Sequence, residues 1–257
     1  LYGVRVGGPI VKNKLFFFLN YETEKAMVPG PSRVAATAEK PYTDGSDNIA
    51  RPTATDMDMM SKYLKDTYGY ETGPYQGYSN ESPGMKFLAR IDWNINKQHR
   101  FNIRYNLTKK KDPSYPSTSI TGISPAPYNR NDNRQGMWAM WYQNSGYFQE
   151  QNFSSIAAEL NSRFDNFNNV LRVTYTDQDE PRSTIGKEMP FVDILKDGKP
   201  YVSFGTELFS FGNLRKVNTF TISDDVTFNL GINSITTGLA FEHNLTKNGF
   251  QRFGTGY

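Results

Sequence analysis

Five charged side chains recur at alternate positions within apolar stretches: Arg90, Asp92, Arg104, Glu159 and Arg163. Every second residue of an extended strand points to the same side, so these five share one face. A face that mixes cations with carboxylates can line a passage for polar solutes, or it can lock into ion pairs with itself; the second is the plainer reading. The adjacent carboxylates Asp179-Glu180 and Asp224-Asp225 make no acid–base pair, because neighbours on a strand face opposite ways. Asp44-Gly45-Ser46-Asp47-Asn48 offers oxygens to Ca²⁺ but lacks the ligand spacing and closing Glu of a calcium loop, and reads as a polar turn. Gly7-Gly8-Pro9 follows a strand with no helix behind it to receive a phosphate. Lys109-Lys110-Lys111 is too short for nucleic acid and reads as the solvated base of a loop. Trp138, Trp141 and Tyr142, with Tyr75 and Tyr78, could stack on sugar rings or other ligands. The tryptophan cluster reads equally as girdle residues at a membrane surface, or as loop packing. His99 reads as a solvated turn residue.

Composition narrows what such residues can serve. The 257 residues contain no cysteine and two histidines, His99 and His243, far apart. That removes disulfide frameworks, thiol nucleophiles and cysteine-ligated metals, and makes histidine clusters and triads poor candidates. No nucleophile–base–orienter set can be assembled, so an enzyme is the weakest function class, and neither metal nor cofactor is implied. Twenty-nine Lys and Arg against 26 Asp and Glu give +3, without the basic stripe of a nucleic-acid partner. Apolar runs such as Leu15-Phe16-Phe17-Phe18-Leu19 never exceed six residues, which excludes a helical membrane span. Yet aromatics reach 14% in a chain of mean hydropathy −0.64, which excludes disorder. Two designs give this mixture: a soluble β-protein with long polar loops, or a transmembrane β-barrel that turns only alternate residues to lipid.

Positioning falls to strands. Phe87, Ala89, Ile91, Trp93 and Ile95 alternate with polar residues, with one break at Leu88, turn at Asn96-Lys97-Gln98-His99, and return through Phe101, Ile103, Tyr105 and Leu107. The same design predicts four hairpins, at about 1–22, 85–108, 154–177 and 219–244, with turns at Lys12-Asn13-Lys14, Asn166-Phe167-Asn168-Asn169 and Gly231-Ile232-Asn233-Ser234. Each arm has roughly 9–11 residues, enough to cross a bilayer when tilted. Long loops at about 23–84, 109–151 and 178–217 separate the hairpins, and short turns at one rim with long loops at the other suit an outer-membrane barrel. The first loop predicts a helix, entered at Pro52-Thr53-Ala54-Thr55 and ended at Gly69, with Met59, Met60, Tyr63 and Leu64 on one face. Asp224 is out of place, a carboxylate in phase with apolar residues; a bulge or a protein-covered site would each accommodate it. Leu1 lies inside an apparent strand and Gly254-Thr255-Gly256-Tyr257 closes nothing, which reads as a piece of a longer chain.

Gly7-Gly8-Pro9-Ile10-Val11-Lys12-Asn13-Lys14-Leu15-Phe16-Phe17-Phe18-Leu19-Asn20-Tyr21-Glu22 resembles the opening barrel hairpin of TonB-dependent outer-membrane receptors of the Oar-like branch. The segment from Lys86 to Asn96, followed by His99 to Asn106, resembles its second hairpin, and Pro181-Arg182-Ser183 with Met189-Pro190-Phe191 resembles a later loop. The resemblance implies an all-β fold: an antiparallel up-and-down meander of about eight strands, a segment of a barrel of about 22. Arg90, Asp92, Arg104, Glu159 and Arg163 would then face the lumen. It implies active uptake of a nutrient, an oligosaccharide, peptide or chelate, across the Gram-negative outer membrane. The implied partners are outer-membrane lipid, a plug and the remaining strands of the same protein, the TonB complex, and a surface lipoprotein as a further candidate. The other function class is an outer-surface binding or adhesion β-protein without transport.

Overall fold

The computed structural model describes residues 1–118, 134–209 and 213–250. In chain order the elements are β1 (Tyr2–Val11), β2 (Leu15–Pro29), β3 (Val34–Ala36), β4 (Ile49–Thr53), α1 (Ala54–Tyr68), β5 (Ser79–Asn94), β6 (His99–Ser114) and β7 (Met140–Trp141). They continue as β8 (Tyr147–Arg163), β9 (Phe167–Asp179), β10 (Arg182–Thr184), β11 (Val192–Lys196), β12 (Lys199–Phe204), β13 (Leu214–Leu230) and β14 (Asn233–Gly249). Eight long strands form one sheet in the order β1-β2-β5-β6-β8-β9-β13-β14, and each pairs antiparallel with the next. This is the expected meander, all-β among the described residues apart from α1 and a 3-10 turn at Gln143–Ser145. The barrel is open: within the described residues, β1 and β14 each have one unpaired edge.

The register sorts the two faces. Val6, Leu19, Ala89, Tyr105, Ile156, Tyr175, Phe220 and their in-phase neighbours lie on one side, and Arg5, Asn20, Arg90, Arg104, Glu159, Arg172 and Asp225 on the other. One ladder crosses all eight strands through Val11, Leu15, Trp93, Phe101, Leu160, Leu171, Asp224 and Leu239. Within successive hairpins its two members stand 4, 8, 11 and 15 residues apart along the chain. The ladder therefore climbs away from the short turns by about one residue per strand. With ~3.3 Å per residue and ~4.8 Å between strands, turns held at one rim require a strand tilt of roughly 30–35°. A flat soluble sheet has no reason for that stagger; a barrel wall does.

Strands run past the bounds that alternation marks. The sheet reaches Pro29, begins β5 at Ser79 and extends β6 to Ser114, because backbone pairing continues where polar residues occupy both faces. Ion pairs such as Lys25–Glu81 (2.5 Å) and Lys111–Glu150 (2.7 Å) replace apolar contacts there. The turns shrink correspondingly: Phe167, Asn168 and Asn169 belong to β9, and Asn233 and Ser234 to β14. His99 is the first residue of β6, not a turn residue, and its Nδ1 bonds the Ser162 hydroxyl at 2.8 Å.

Beyond the long-loop rim the connecting segments fold together into one crown. β11, β12 and β7 form a small sheet in which β7 runs parallel to β12, while β3 pairs parallel with β4. Ala35, Ala50, Met57, Leu64, Tyr70, Met140, Tyr142, Tyr201, Val202 and Phe204 make its buried core, drawn from all three loops. Helix α1 forms as its signals require: the Thr53 side chain accepts from the Asp56 N–H (3.1 Å), and Gly69 closes it in the left-handed conformation (φ 62°). Its inner face matches the expected one in part: Leu64 is in the core and Met60 packs against it. Met57 and Leu64 are buried, whereas Met59 and Tyr63 are 62% and 53% exposed. Both stripes are apolar, and the core beneath, not the helix's own pattern, selects between them. Phe211 and the closing Gly254-Thr255-Gly256-Tyr257 lie outside the described residues, as do positions 119–133 of the second loop.

Candidate functional site

Two regions carry polar chemistry: the inner wall of the sheet and the crown. On the wall, Arg90 clasps Asp92 two residues along the same strand, Nε to Oδ2 at 2.8 Å and Nη2 to Oδ1 at 2.6 Å. Glu159 accepts from Arg172 Nε at 2.8 Å, and the same guanidinium reaches Asp225 at 3.2 Å, tying β8, β9 and β13 together. Gly238 lies opposite Asp225, whose carboxylate occupies the space a Cβ would need. Arg104 stands directly across from Arg90, and among the described residues neither Arg104 nor Arg163 forms an ion pair. An open cavity of about 740 Å³ runs along this lower wall, lined by Arg90, Asp92, Asn102, Glu159 and Arg163 among others. The five charged residues thus share a face, three of them in ion pairs and two with free cationic heads. Arg172 and Asp225, which complete the network, were visible as in-phase residues, but no spacing shows a bridge between three strands.

In the crown the five candidate aromatics separate into three clusters. Tyr142 is fully buried and its hydroxyl donates to the Met57 carbonyl at 2.6 Å, pinning α1; burial pushes the phenol upward. Tyr75 meets that ring edge-on (6.1 Å, 87°) and donates to Asp58 at 3.0 Å, its phenol raised to about 12 by burial and that bond. Trp141 is buried between the Tyr115 ring (5.4 Å) and the Arg33 guanidinium (4.4 Å). Tyr78 closes over Gly30 in the same cluster, and burial raises its phenol to about 12. Trp138 is only half-buried, with Tyr42 tilted against it (5.8 Å) and the heads of Lys199 (3.9 Å) and Arg51 (4.7 Å) over its ring. None of the three clusters lies on the sheet, so they pack the crown and form no girdle.

Arg33 joins the clusters, and nothing in its sequence context signals that. It donates to the carbonyls of Gly136 (2.6 Å), Ala139 and Gln135 (both 2.8 Å), and burial pulls its pKa down to about 10. A second buried cation, Arg134, forks onto Asp193 (2.7 and 2.6 Å), and the Ser203 hydroxyl donates to the same carboxylate. These bonds draw the 134–139 stretch against the first and third loops. Where they end, an open cavity of about 780 Å³ faces outward, lined by Tyr42, Thr43, Asp44, Ser46, Thr118, Gln135 and Trp138 among others. It presents hydroxyls, one carboxylate, an amide and two ring edges, which suit a hydroxyl-rich or peptidic ligand.

A family model described as an outer membrane beta barrel domain matches residues 1–257. No curated protein and no solved structure matches the chain.

Proposed function

Since the chain belongs to the outer membrane β-barrel domain family and resides in the Gram-negative outer membrane, we propose that it forms part of a TonB-dependent receptor of the Oar-like branch. In this reading the sheet is the first part of a barrel of about 22 strands, divided into the hairpins and loops that the sequence marks. The remaining strands and a plug complete it, and import of an oligosaccharide, peptide or chelate is energised through the TonB complex. A surface lipoprotein is a further partner.

The observation that carries the reading is the crown. Three loops, each joining a different pair of hairpins, build one folded body beyond the long-loop rim and leave an open cavity on it. Loops that only join strands need no common core. Cargo contacts fall to the rim of that cavity, Tyr42, Gln135 and Trp138, with Tyr75 and Tyr78 as second candidates; Trp141 and Tyr142 hold the crown together beneath them. The inner wall, with Arg104 and Arg163 unpaired, faces the plug and the cargo's route.

The test is uptake by cells making the intact protein, with and without the inner-membrane energising complex. Import that depends on the complex is expected. Import of every bound ligand at equal rate without it would overturn the reading, and binding with no import at all would favour adhesion.

A further inference from the structure

The inner wall changes character across its width. On β1, β2 and the start of β5 it is partly apolar: Phe16 and Phe18 point inward beside Pro9 and Gly7, and Leu88 stands opposite Asn20. Phe18 packs so closely on Gly7 that a Cβ there would lie 3.0 Å from its ring. On β6, β8 and β9, from Arg100 to Arg172, the same face carries charged groups and amides, with Ala157 and Val170 its only apolar side chains.

Every carboxylate on this second half is already engaged. Arg90 takes both oxygens of Asp92, Arg172 bonds Glu159 and Asp225, and the Asn102 amide reaches the other oxygen of Glu159. Arg100, Arg104, Arg163 and, in the turn below, Lys97 are left without an ion pair or side-chain hydrogen bond among the described residues. Arg104 stands directly across from Arg90, a like-charge pairing that costs stability in a sheet. Arg100 faces Asn161, two residues before Arg163, so these two arginines leave the wall roughly 7–8 Å apart. Lys97, Arg100 and Arg163 line the open cavity of about 740 Å³, with the amides of Asn94, Asn161 and Asn168 among them.

Packed interfaces put apolar groups at their centre and exclude unpaired charge, whereas a wet passage keeps charge at its surface. The apolar half of the wall therefore suits a packed plug, and the cationic half is left to water and solute. Resting on the importer reading above, we propose that the cargo is an anion and that it passes along β6, β8 and β9, handed between Arg104, Arg100 and Arg163. A guanidinium fork holds a carboxylate or phosphate through two parallel hydrogen bonds. The spacing of the arginines fits a solute with two or more such groups, and the asparagine amides bond its hydroxyls. Exposed, separate contacts of this kind hold an ion long enough to guide it and release it again.

The 257 residues contain no cysteine. In the intact protein, with any cysteine outside them replaced, Asn161→Cys puts one thiol on the cationic half, and Asn20→Cys puts one beside Phe18 and Leu88. Each variant is checked for folded, heat-modifiable migration in detergent. The Asn161→Cys thiol should react at least about tenfold faster with a sulfonate-bearing methanethiosulfonate than with its trimethylammonium counterpart, each rate taken relative to a free thiol. Arg100→Gln with Arg163→Gln should bring that preference below about twofold, and Asn20→Cys should be slow with both reagents. Millimolar trigalacturonate or inorganic tripolyphosphate, at fixed ionic strength, should slow labelling of Asn161→Cys by neutral N-ethylmaleimide about fivefold or more; the methyl ester of trigalacturonate should not. Slowing by one anion alone names the group the arginines recognise. The proposal is overturned by equal rates with the two charged reagents, a preference that survives loss of both arginines, slowing by neither anion, equal slowing by the ester, or a shielded Asn161→Cys beside a reactive Asn20→Cys. None of these measurements needs transport, so the expected labelling in a protein that imports nothing would overturn the importer reading and leave the anion site standing.

Discussion

Arg33 organises the crown from a position where the sequence offers no motif. Its fork meets three carbonyls of one turn while its plane covers Trp141, so it holds the second loop to the first without any carboxylate. Replacing it with Ala should destabilise the crown by roughly 2–4 kcal/mol, leaving carbonyls unmatched. Lys should recover less than half of that, since an ammonium cannot fork. Hydrogen exchange of residues 134–142 in detergent is the measurement. Asp56 gives a test by pH. The Tyr201 hydroxyl bonds its carboxylate and holds it below the usual range. A lowered carboxyl stabilises the fold above its unfolded value of about 3.9, and that contribution is lost as pH falls through the lowered value. Proteolytic resistance of the crown should therefore be unchanged from pH 7 to 5 and fall below about pH 4, and Asp56→Asn should flatten the fall. Residue types alone revealed the aromatic clusters; which rings are buried depended on partners more than 60 positions away, as with Tyr142 on Met57.

Helices and strands were legible to different degrees. Strand faces could be read because lipid imposes a period of two, and the register pairs apolar with apolar at Phe87↔Leu107, Ala89↔Tyr105, Ile91↔Ile103 and Trp93↔Phe101, with Leu88 the one apolar residue on the other face. Strand ends could not, because above the bilayer the alternation stops while the ladder continues. The ends of α1 were legible from Thr53 and Gly69, and its inner face only in part: Leu64 and Met60 were read correctly, but Met57 and Met59 are equally apolar and only the crown's core distinguishes them. Ile91 and Ile103 face each other on the apolar side of the wall. Arg at either should destabilise the inserted barrel by about 2–4 kcal/mol if the pair is level with the bilayer midplane, measured by unfolding in urea from lipid vesicles. Thr53→Ala should cost about 1 kcal/mol of crown stability, felt in α1 alone. Exchange of the 54–68 amides should rise while that of β5 and β6 stays unchanged.

At the scale of the whole molecule, two bodies meet: a wall whose geometry answers to the membrane and a crown whose core answers only to itself. The wall was foreseeable as a meander because each hairpin is local in sequence. The crown was foreseeable only as three loops, since its core joins segments far apart in the chain, as where Met140 of the second loop lies beside Val202 of the third. Deleting any one loop should therefore abolish ligand binding and expose the other two to protease together, whereas substitutions at Tyr42 or Gln135 should weaken binding and leave the crown intact. The shared core also limits how such a protein can change over generations. Insertions and deletions, the usual currency of loop diversification, would tear a body whose three threads are woven through one another. New specificities would instead accumulate as point changes on the outer rim, so descendants of this chain should differ in what lines the mouth long before they differ in the length of the segments that build it.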